Sequence, residues 1–296
     1  MTGGTRSTAT AGAGVVEVLR AGALTTVQDL GRVGWAHLGV PRSGALDPTA
    51  LRLANRLVGN PESAAGLEIT MTGCELRFPR AAAVAVTGAG AAVRVGDRPG
   101  DVGRPLSVPA GAVLRIGPPA DGLRNWLAVG GGIAVEPVLG SRATDTLSGL
   151  GPPPLRDGDR LPLGAPTGPP APVDVTVVAS TPTELRLTLR LGPRDDWFTP
   201  AALDLLFGSA YTVSPVSNRV GARLTGAALP RAVAGELASE GIVLGAVQVP
   251  ADGQPLIFLA DHPTTGGYPV VGVVDDVTPL AQARPGTTVR FHGPQR

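Results

Sequence analysis

Apolar residues in this chain fall mostly in short alternating runs, cut by glycine, proline and aspartate. Period-two alternation bounded by turn residues predicts half-buried strands. Val15 to Leu19 is the first short candidate. After Pro61 come LEIT (67–70), CELRF (74–78), AAVAVTG (82–88), AAVRVG (91–96), PLSV (105–108) and AVLRIG (112–117). NWLAVGGGI (125–133) and VEPVLGS (135–141) continue the series. The second half adds VDVTVVAS (173–180), ELRLTLRLG (184–192), YTVSPVS (211–217), LTG (224–226), GIVLGAVQVP (241–250), PLIFLAD (255–261), YPVVGVV (268–274) and TTVRFHG (287–293).

Two segments have helical spacing instead. In PTALRLANRLVGN, Leu51, Ala54, Leu57 and Val58 recur on one face. Asp47 is its expected N-cap, Pro48 opens the first turn and Gly59-Asn60 stops it. DDWFTPAALDLLFGS (195–209) reads as a shorter helix capped by Thr199 and begun by Pro200.

Each half thus has a short helix followed by a β-rich series. The chain is expected to be mainly β: two β-barrel domains, each closed to remove exposed strand edges, with short packed helices. Regular strands without long helices argue against Rossmann or TIM architectures. The expected boundaries are a loose tail over 1–14, an N-terminal barrel over 15–170 and a C-terminal barrel over 171–296. The run at 149–172 is poor in secondary structure, and the connection is expected near Pro166 to Pro172.

Composition narrows the chemistry. A length of 296 residues suits two domains, and 42 glycines with 30 prolines suit a turn-rich β chain. A formal net charge of +1 gives no pull toward nucleic acid or an anionic membrane. All 25 basic residues are arginine, and lysine is absent. The chain therefore cannot carry lysine-linked biotin, form a lysine Schiff base or supply a P-loop lysine. Cys74 is the only cysteine, so no internal disulfide forms, and its apolar neighbours suggest a buried small hydrophobe. His37, His262 and His292 lack metal-ligand spacing, so no metal site is expected. The N-terminal run is not a convincing signal peptide and no apolar stretch reaches membrane-spanning length. A cytoplasmic location is the default expectation.

The densest polar chemistry lies between Glu236 and Pro269. Here Glu240, Gln248, Asp261, His262, Thr264, Thr265 and Tyr268 sit at the rims of short strands. A core alone does not call for them, whereas a pocket for a small polar molecule does. Glu240 is the leading acid–base candidate, with a structural salt bridge as the alternative. Asp261 is the second catalytic candidate. Adjacent strand residues face opposite ways, so Asp261 and His262 do not form an obvious catalytic pair. Gln248 is a strand amide that must find partners, in a ligand or in the fold. Thr264, Thr265 and Tyr268 shape either the pocket or a polar turn. Earlier in the chain, Arg32 and Arg42 can each grip a carboxylate through paired hydrogen bonds, or pair with Asp29 or Asp47. Ser43 can offer its hydroxyl to the same anion. Ser217, Asn218 and Arg219 combine hydroxyl, amide and guanidinium, with a turn formed by Asn218 as the alternative. No GxSxG and no convincing Ser-His-Asp order appears.

The run VQDLGRVGWAHLGVPRSGALDPTALRLANRLVGN (27–60) resembles the opening signature of the KipA family. This family takes in allophanate hydrolase subunit 2, biotin-dependent carboxyltransferase-like proteins and the C subunit of 5-oxoprolinase. The resemblance continues through LEITMTGCELRF, RNWLAVGGGIAVEPVLGSRATD, LRLGPRDDWFT, YTVSPVSNRVGARLTG and LAQARPGTTVRF, over roughly residues 15–292. Two departures stand out: many members have serine at Ala143, and arginine is common at His262.

The resemblance implies two cyclophilin-like barrels and a KipI-like (subunit 1) partner. The chain looks most like the C subunit of an ATP-dependent 5-oxoprolinase, which opens 5-oxo-L-proline to L-glutamate together with a LamB/YcsF-like subunit. ATP would be used by the complex, with magnesium left open and no cofactor bound covalently to this chain. The alternatives are a carboxyltransferase-type subunit acting on urea or allophanate, and a non-catalytic regulatory subunit that binds a KipI-like protein. Little activity is expected of the chain alone.

Overall fold

A computed structural model of the chain describes residues 14–171, 182–235 and 237–294. The predicted strand VDVTVVAS and the 1–13 part of the expected tail lie outside the described residues.

The first half folds into two antiparallel sheets. One has six strands in the order β11 (Arg160–Pro162), β1 (Val15–Arg20), β4 (Cys74–Arg77), β9 (Val113–Pro119), β6 (Ala91–Val95) and β7 (Arg98–Gly100). The other has five: β2 (Leu24–Gln28), β3 (Gly66–Thr70), β10 (Arg124–Val129), β5 (Ala82–Gly88) and β8 (Pro105–Val108). Alternation sends Val16, Val18, Leu76, Leu114 and Ile116 from the first sheet into one core with Val27, Leu67, Ile69, Val84, Val86, Leu127 and Val129 from the second. The two sheets therefore stack face to face.

The second half does close. β12 (Glu184–Leu191), β19 (Val270–Val274), β16 (Ala246–Gln248), β17 (Leu256–Phe258), β14 (Gly221–Thr225), β13 (Tyr211–Val213) and β20 (Thr288–His292) form a seven-stranded barrel. β12 completes the ring: Glu184–Thr188 pair in parallel with β20, and Leu189–Leu191 pair antiparallel with β19. A two-stranded ribbon, β15 (Glu240–Gly241) with β18 (Thr265–Gly266), stands apart from it.

The expectation of two cyclophilin-like barrels is therefore corrected to one barrel and one sandwich. Alternation decides which side chains face inward, but it is the same for a closed barrel and for two stacked sheets. The sandwich covers its β2 edge rather than closing it. Thr144 and Leu155 donate backbone N–H groups to Val27 and Thr25 on the outer edge of β2, both at 2.8 Å. The predicted strand at VEPVLGS is also corrected. It holds only a bridge between Val138 and Ser141, around a turn with Leu139 and Gly140 at positive φ.

Both helices form with the predicted caps. α1 (Pro48–Leu57) has the Asp47 carboxylate accepting from Ala50 N at 2.9 Å. α2 (Pro200–Gly208) has the Thr199 hydroxyl accepting from Ala202 N at 3.1 Å. α1 lays Ala54 and Leu57 on Ala85 and Ala128, covering the outer face of the five-stranded sheet. Its Ala50 and Leu51, with Ala45, Leu46 and Trp126, join the same buried cluster as barrel residues Leu187, Val247, Ile257 and Val271. One apolar core thus crosses the junction between the two halves.

Candidate functional site

The polar chemistry gathers where the sandwich meets the barrel. After β2 the chain leaves the sheet at Gln28 and returns to α1 at Pro48, folding against the barrel on the way. Ser43 N donates to Ala260 O at 3.1 Å and Ala45 N donates to Asp29 O at 2.9 Å. Gly44 has φ 92°, and a Cβ there would lie 2.8 Å from Gly31 N, so only glycine fits this crossing. Its neighbour Ser43 also sits in the left-handed region at φ 54°. For a serine this is an uncommon backbone state, held here by bonds on both sides.

Behind this loop lies a buried ion network. Arg219 forks onto Asp261, with Nε to Oδ2 and Nη2 to Oδ1 both at 2.9 Å. Its Nη1 donates to Glu68 Oε1 at 2.5 Å, and its Nη2 also reaches Gly44 O at 2.7 Å. Glu68 Oε2 accepts from Leu46 N at 2.9 Å and Trp126 Nε1 at 3.2 Å. Arg124 Nε lies 3.4 Å from Glu68 Oε1, an ionic contact without hydrogen-bond geometry, while its Nη1 donates to Ala281 O at 2.7 Å. Asp261 also accepts from Ser43 Oγ at 2.6 Å, Thr146 Oγ1 at 2.7 Å and Thr146 N at 3.0 Å. All four charged side chains are buried.

Electrostatics follow from this geometry. Burial pushes the Asp261 carboxyl upward, but the Arg219 charge and the bonds from Arg219, Ser43 and Thr146 outweigh it and hold the pKa below the usual range. Burial likewise pulls the Arg219 guanidinium down, and Glu68 and Asp261 more than reverse it. Arg124 is lowered to about 10, chiefly by burial, so it stays cationic at neutral pH. Asp261, Arg219 and Arg124 are therefore charged together. With five donors on its two oxygens, Asp261 is suited to positioning its neighbours rather than to taking a proton.

A cavity of 180 Å³ opens beside this network, lined by Arg42, Ser43, His262, Asp275, Asp276 and apolar neighbours such as Leu244. Arg42 is exposed and anchored through Nε to Leu30 O at 3.2 Å, which leaves its Nη groups for a ligand. His262 is buried, with Nδ1 2.7 Å from Pro263 O. In that contact Nδ1 donates to the carbonyl. A larger hollow of 580 Å³ lies along β8 and the 163–170 segment, with Arg80 as its one charged lining residue. Its walls are backbone and small apolar side chains, so the smaller cavity carries the chemistry. Among the described residues, no three His, Cys, Asp or Glu side chains are placed to hold a metal. Cys74 is buried, and burial pushes its thiol up to about 12.

The sequence candidates separate into groups. Asp261, Ser43 and Arg219 meet in the network, and Arg42 joins Ser43 at the cavity. Arg32 is buried nearby, bonded to the carbonyls of Val138 and Ala143 rather than paired with Asp29 or Asp47. Ser217 and Asn218 build a turn: Asn218 Oδ1 accepts from Val220 N at 2.9 Å and Gly221 N at 3.2 Å, and Ser217 Oγ accepts from Arg223 N at 3.1 Å. Glu240 is held by Arg194 Nε at 3.0 Å, and that bond keeps its pKa below the usual range. It is not among the residues around the cavity. Gln248 Nε2 donates to Tyr268 O at 3.0 Å, and Tyr268 is half-exposed beneath Arg231. Thr265 pairs with Gly241 in the ribbon, and Thr264 O accepts from Ile242 N at 2.8 Å.

Sequence reasoning missed Glu68, Arg124 and Thr146. Glu68 had a signal: it is a carboxylate inside the short apolar run LEIT, where all five β3 residues prove buried. Thr146 had none, because it reaches Asp261 across 115 positions.

A sandwich and a seven-stranded barrel are thus joined by a buried ionic junction, with a small cavity on its edge. The carboxyltransferase domain family, subdomains A and B, matches residues 38–293. The C subunit of Escherichia coli 5-oxoprolinase is 40% identical over 282 residues, which is 94% of this chain and 90% of that protein. Urea amidolyase of Lachancea kluyveri is 33% identical over 93% of this chain but 17% of its own length. The crystal structure of Kluyveromyces lactis urea amidolyase superposes with a TM-score of 0.88 at 30% identity, covering 95% of this chain and 19% of that one. That of TTHA0988 gives 0.85 at 37% identity, over 95% of this chain and 55% of that one. The chain belongs to the carboxyltransferase domain family, a family of enzymes. No helix among the described residues is long and apolar enough to cross a membrane.

Proposed function

We propose that this chain is the C subunit of an ATP-dependent 5-oxoprolinase, acting with a KipI-like and a LamB/YcsF-like partner. The carrying observation is the 180 Å³ cavity in which Arg42 and Ser43 stand side by side. It falls below the ~300–1,000 Å³ of drug-sized ligand sites, which suits a metabolite as small as 5-oxoproline. Arg42 can grip the ring carboxylate, and Ser43 and His262 present polar groups to the lactam. Identity of 40% to the C subunit of a 5-oxoprolinase, across 90% of its length, supports the same reading.

In the net reaction two waters are consumed: one adds to the lactam carbon as the C–N bond breaks and the ring nitrogen takes a proton, and the other is used as ATP becomes ADP and phosphate. The 180 Å³ cavity is small for a nucleotide, which supports ATP binding on another subunit, and no step on this chain is routed through ATP. The role of this chain is to bind and orient the ring. The chain with both partners should form glutamate from 5-oxoproline and ATP, and leaving this chain out should abolish it. Full turnover without it would reject the proposal.

The structural match to urea amidolyase supports a second reading, carboxyl transfer to urea or allophanate. Without lysine, this chain would need carboxybiotin from another protein. ATP- and biotin-dependent carboxylation of urea by the assembled complex, with no glutamate formed from 5-oxoproline, would favour it.

A further inference from the structure

We propose that Ser43 acts as a hydrogen-bond acceptor locked in that role, and that it selects ligands carrying an amide N–H. This rests on the proposed role of the cavity as the 5-oxoproline site, and it adds the rule by which the cavity chooses. A serine hydroxyl has one proton and two lone pairs, so its role toward a ligand depends on where that proton is held. Ser43 Oγ lies 2.6 Å from Asp261 Oδ1 and 3.0 Å from Thr144 O. Both neighbours are acceptors and neither can donate to it. The shorter, charge-assisted bond takes the proton.

Asp261 is itself fixed as a carboxylate. Arg219 grips both of its oxygens and Thr146 donates twice to Oδ2. Thr144 O is held as well, because it also accepts from Gln28 Nε2 at 3.0 Å. The backbone at Ser43 is anchored by its N–H bond to Ala260 O, and the Oγ contacts to Asp261 and Thr144 hold the side chain in place. What Ser43 has left for a molecule in the cavity is a lone pair. A ligand N–H meets it well. A carbonyl, carboxylate or ring ether oxygen meets it lone pair to lone pair. Arg42, on the same wall, is donor-only and takes the anionic end. Together they read a small anion that also bears an N–H, which is the description of a lactam acid and not of the equivalent lactone.

The test compares 5-oxoproline with its isosteric lactone, 5-oxotetrahydrofuran-2-carboxylate, as ligands of the complete complex. Binding is measured by calorimetry for the wild type and for Ser43→Gly, which suits the positive φ and removes the hydroxyl together with its Cβ. Thermal melting confirms that the variant is folded. In the wild type the lactam should bind on the order of tenfold or more tightly than the lactone, the worth of about one hydrogen bond plus the avoided repulsion. In Ser43→Gly that preference should shrink to about twofold, through weaker lactam and stronger lactone binding. Equal wild-type affinity for the two rings, or a preference kept intact in Ser43→Gly, would overturn the selection rule. The cavity reading is judged separately by Arg42→Ala. If Arg42→Ala weakens both rings while the wild type binds them equally, the cavity stands and the Ser43 rule falls. Failure of the wild type to bind 5-oxoproline would overturn both.

Discussion

Arg219 and Asp261 lie 42 positions apart and meet in a two-pronged bond, both contacts at 2.9 Å, with neither side chain more than 1% exposed. Arg219 also reaches Glu68 of the sandwich, so this one guanidinium ties the barrel to the other half. Removing it would leave buried Asp261 without a cation and Glu68 with Arg124 alone. Arg219→Met should cost about 3–5 kcal/mol of stability, the usual penalty for breaking a buried pair from one side. Urea denaturation measures it, and a loss within error of zero would remove Arg219 from the account of the junction.

The same pair sets an acid limit. The Asp261 pKa is lower in the folded state than the ~3.9 of an unfolded aspartate. On acidification the unfolded chain therefore takes up this proton first. The stabilisation from Asp261 is complete above the unfolded pKa and drains away as pH falls below it toward the folded one. Stability measured below about pH 4 should drop in the wild type and drop less steeply in Asp261→Asn. Parallel curves would show that Asp261 does not carry the transition.

Arg42 and Glu240 should behave oppositely in turnover. Arg42 lines the cavity, whereas the Glu240 carboxylate is taken by Arg194 at a partly exposed site. In the complete complex, Arg42→Ala should raise KM for 5-oxoproline on the order of tenfold or more. Glu240→Gln should stay within about twofold of wild type, because exposed ion pairs contribute little. Loss of kcat in Glu240→Gln, with the complex intact, would restore it as an acid or base.

Asp47 caps the helix that carries Leu51 into the shared core. Asp47→Ala should cost about 1 kcal/mol in chemical denaturation, and Asp47→Asn or Asp47→Ser should recover most of it. Full loss in all three would point to a role other than capping.

Local structure was legible wherever a short-range rule acted. Asp47-Pro48 and Thr199-Pro200 announced both helices, because a cap and its N–H lie three residues apart. Most strands were visible in their alternation. VEPVLGS misled, because its apolar residues surround a turn that includes Leu139 at φ 52°. The site was only half legible. Arg42, Ser43, Arg219 and Asp261 were visible as polar groups in turn-rich or strand-end positions. Glu240 drew attention for the same reason, and its partner Arg194, 46 positions away, could not be foreseen.

The sequence by itself determined the β-rich class, both capped helices, the exclusion of lysine chemistry and the likeness to the carboxyltransferase family. These rest on local spacing and on residue identity. Tertiary structure alone decided that one half closes and the other stacks, because alternation carries no information about which strands become neighbours. It also decided which charges meet. Glu68, Arg124, Arg219 and Asp261 become a site only when sandwich and barrel bury them together, where opposite charges offset the cost of burial.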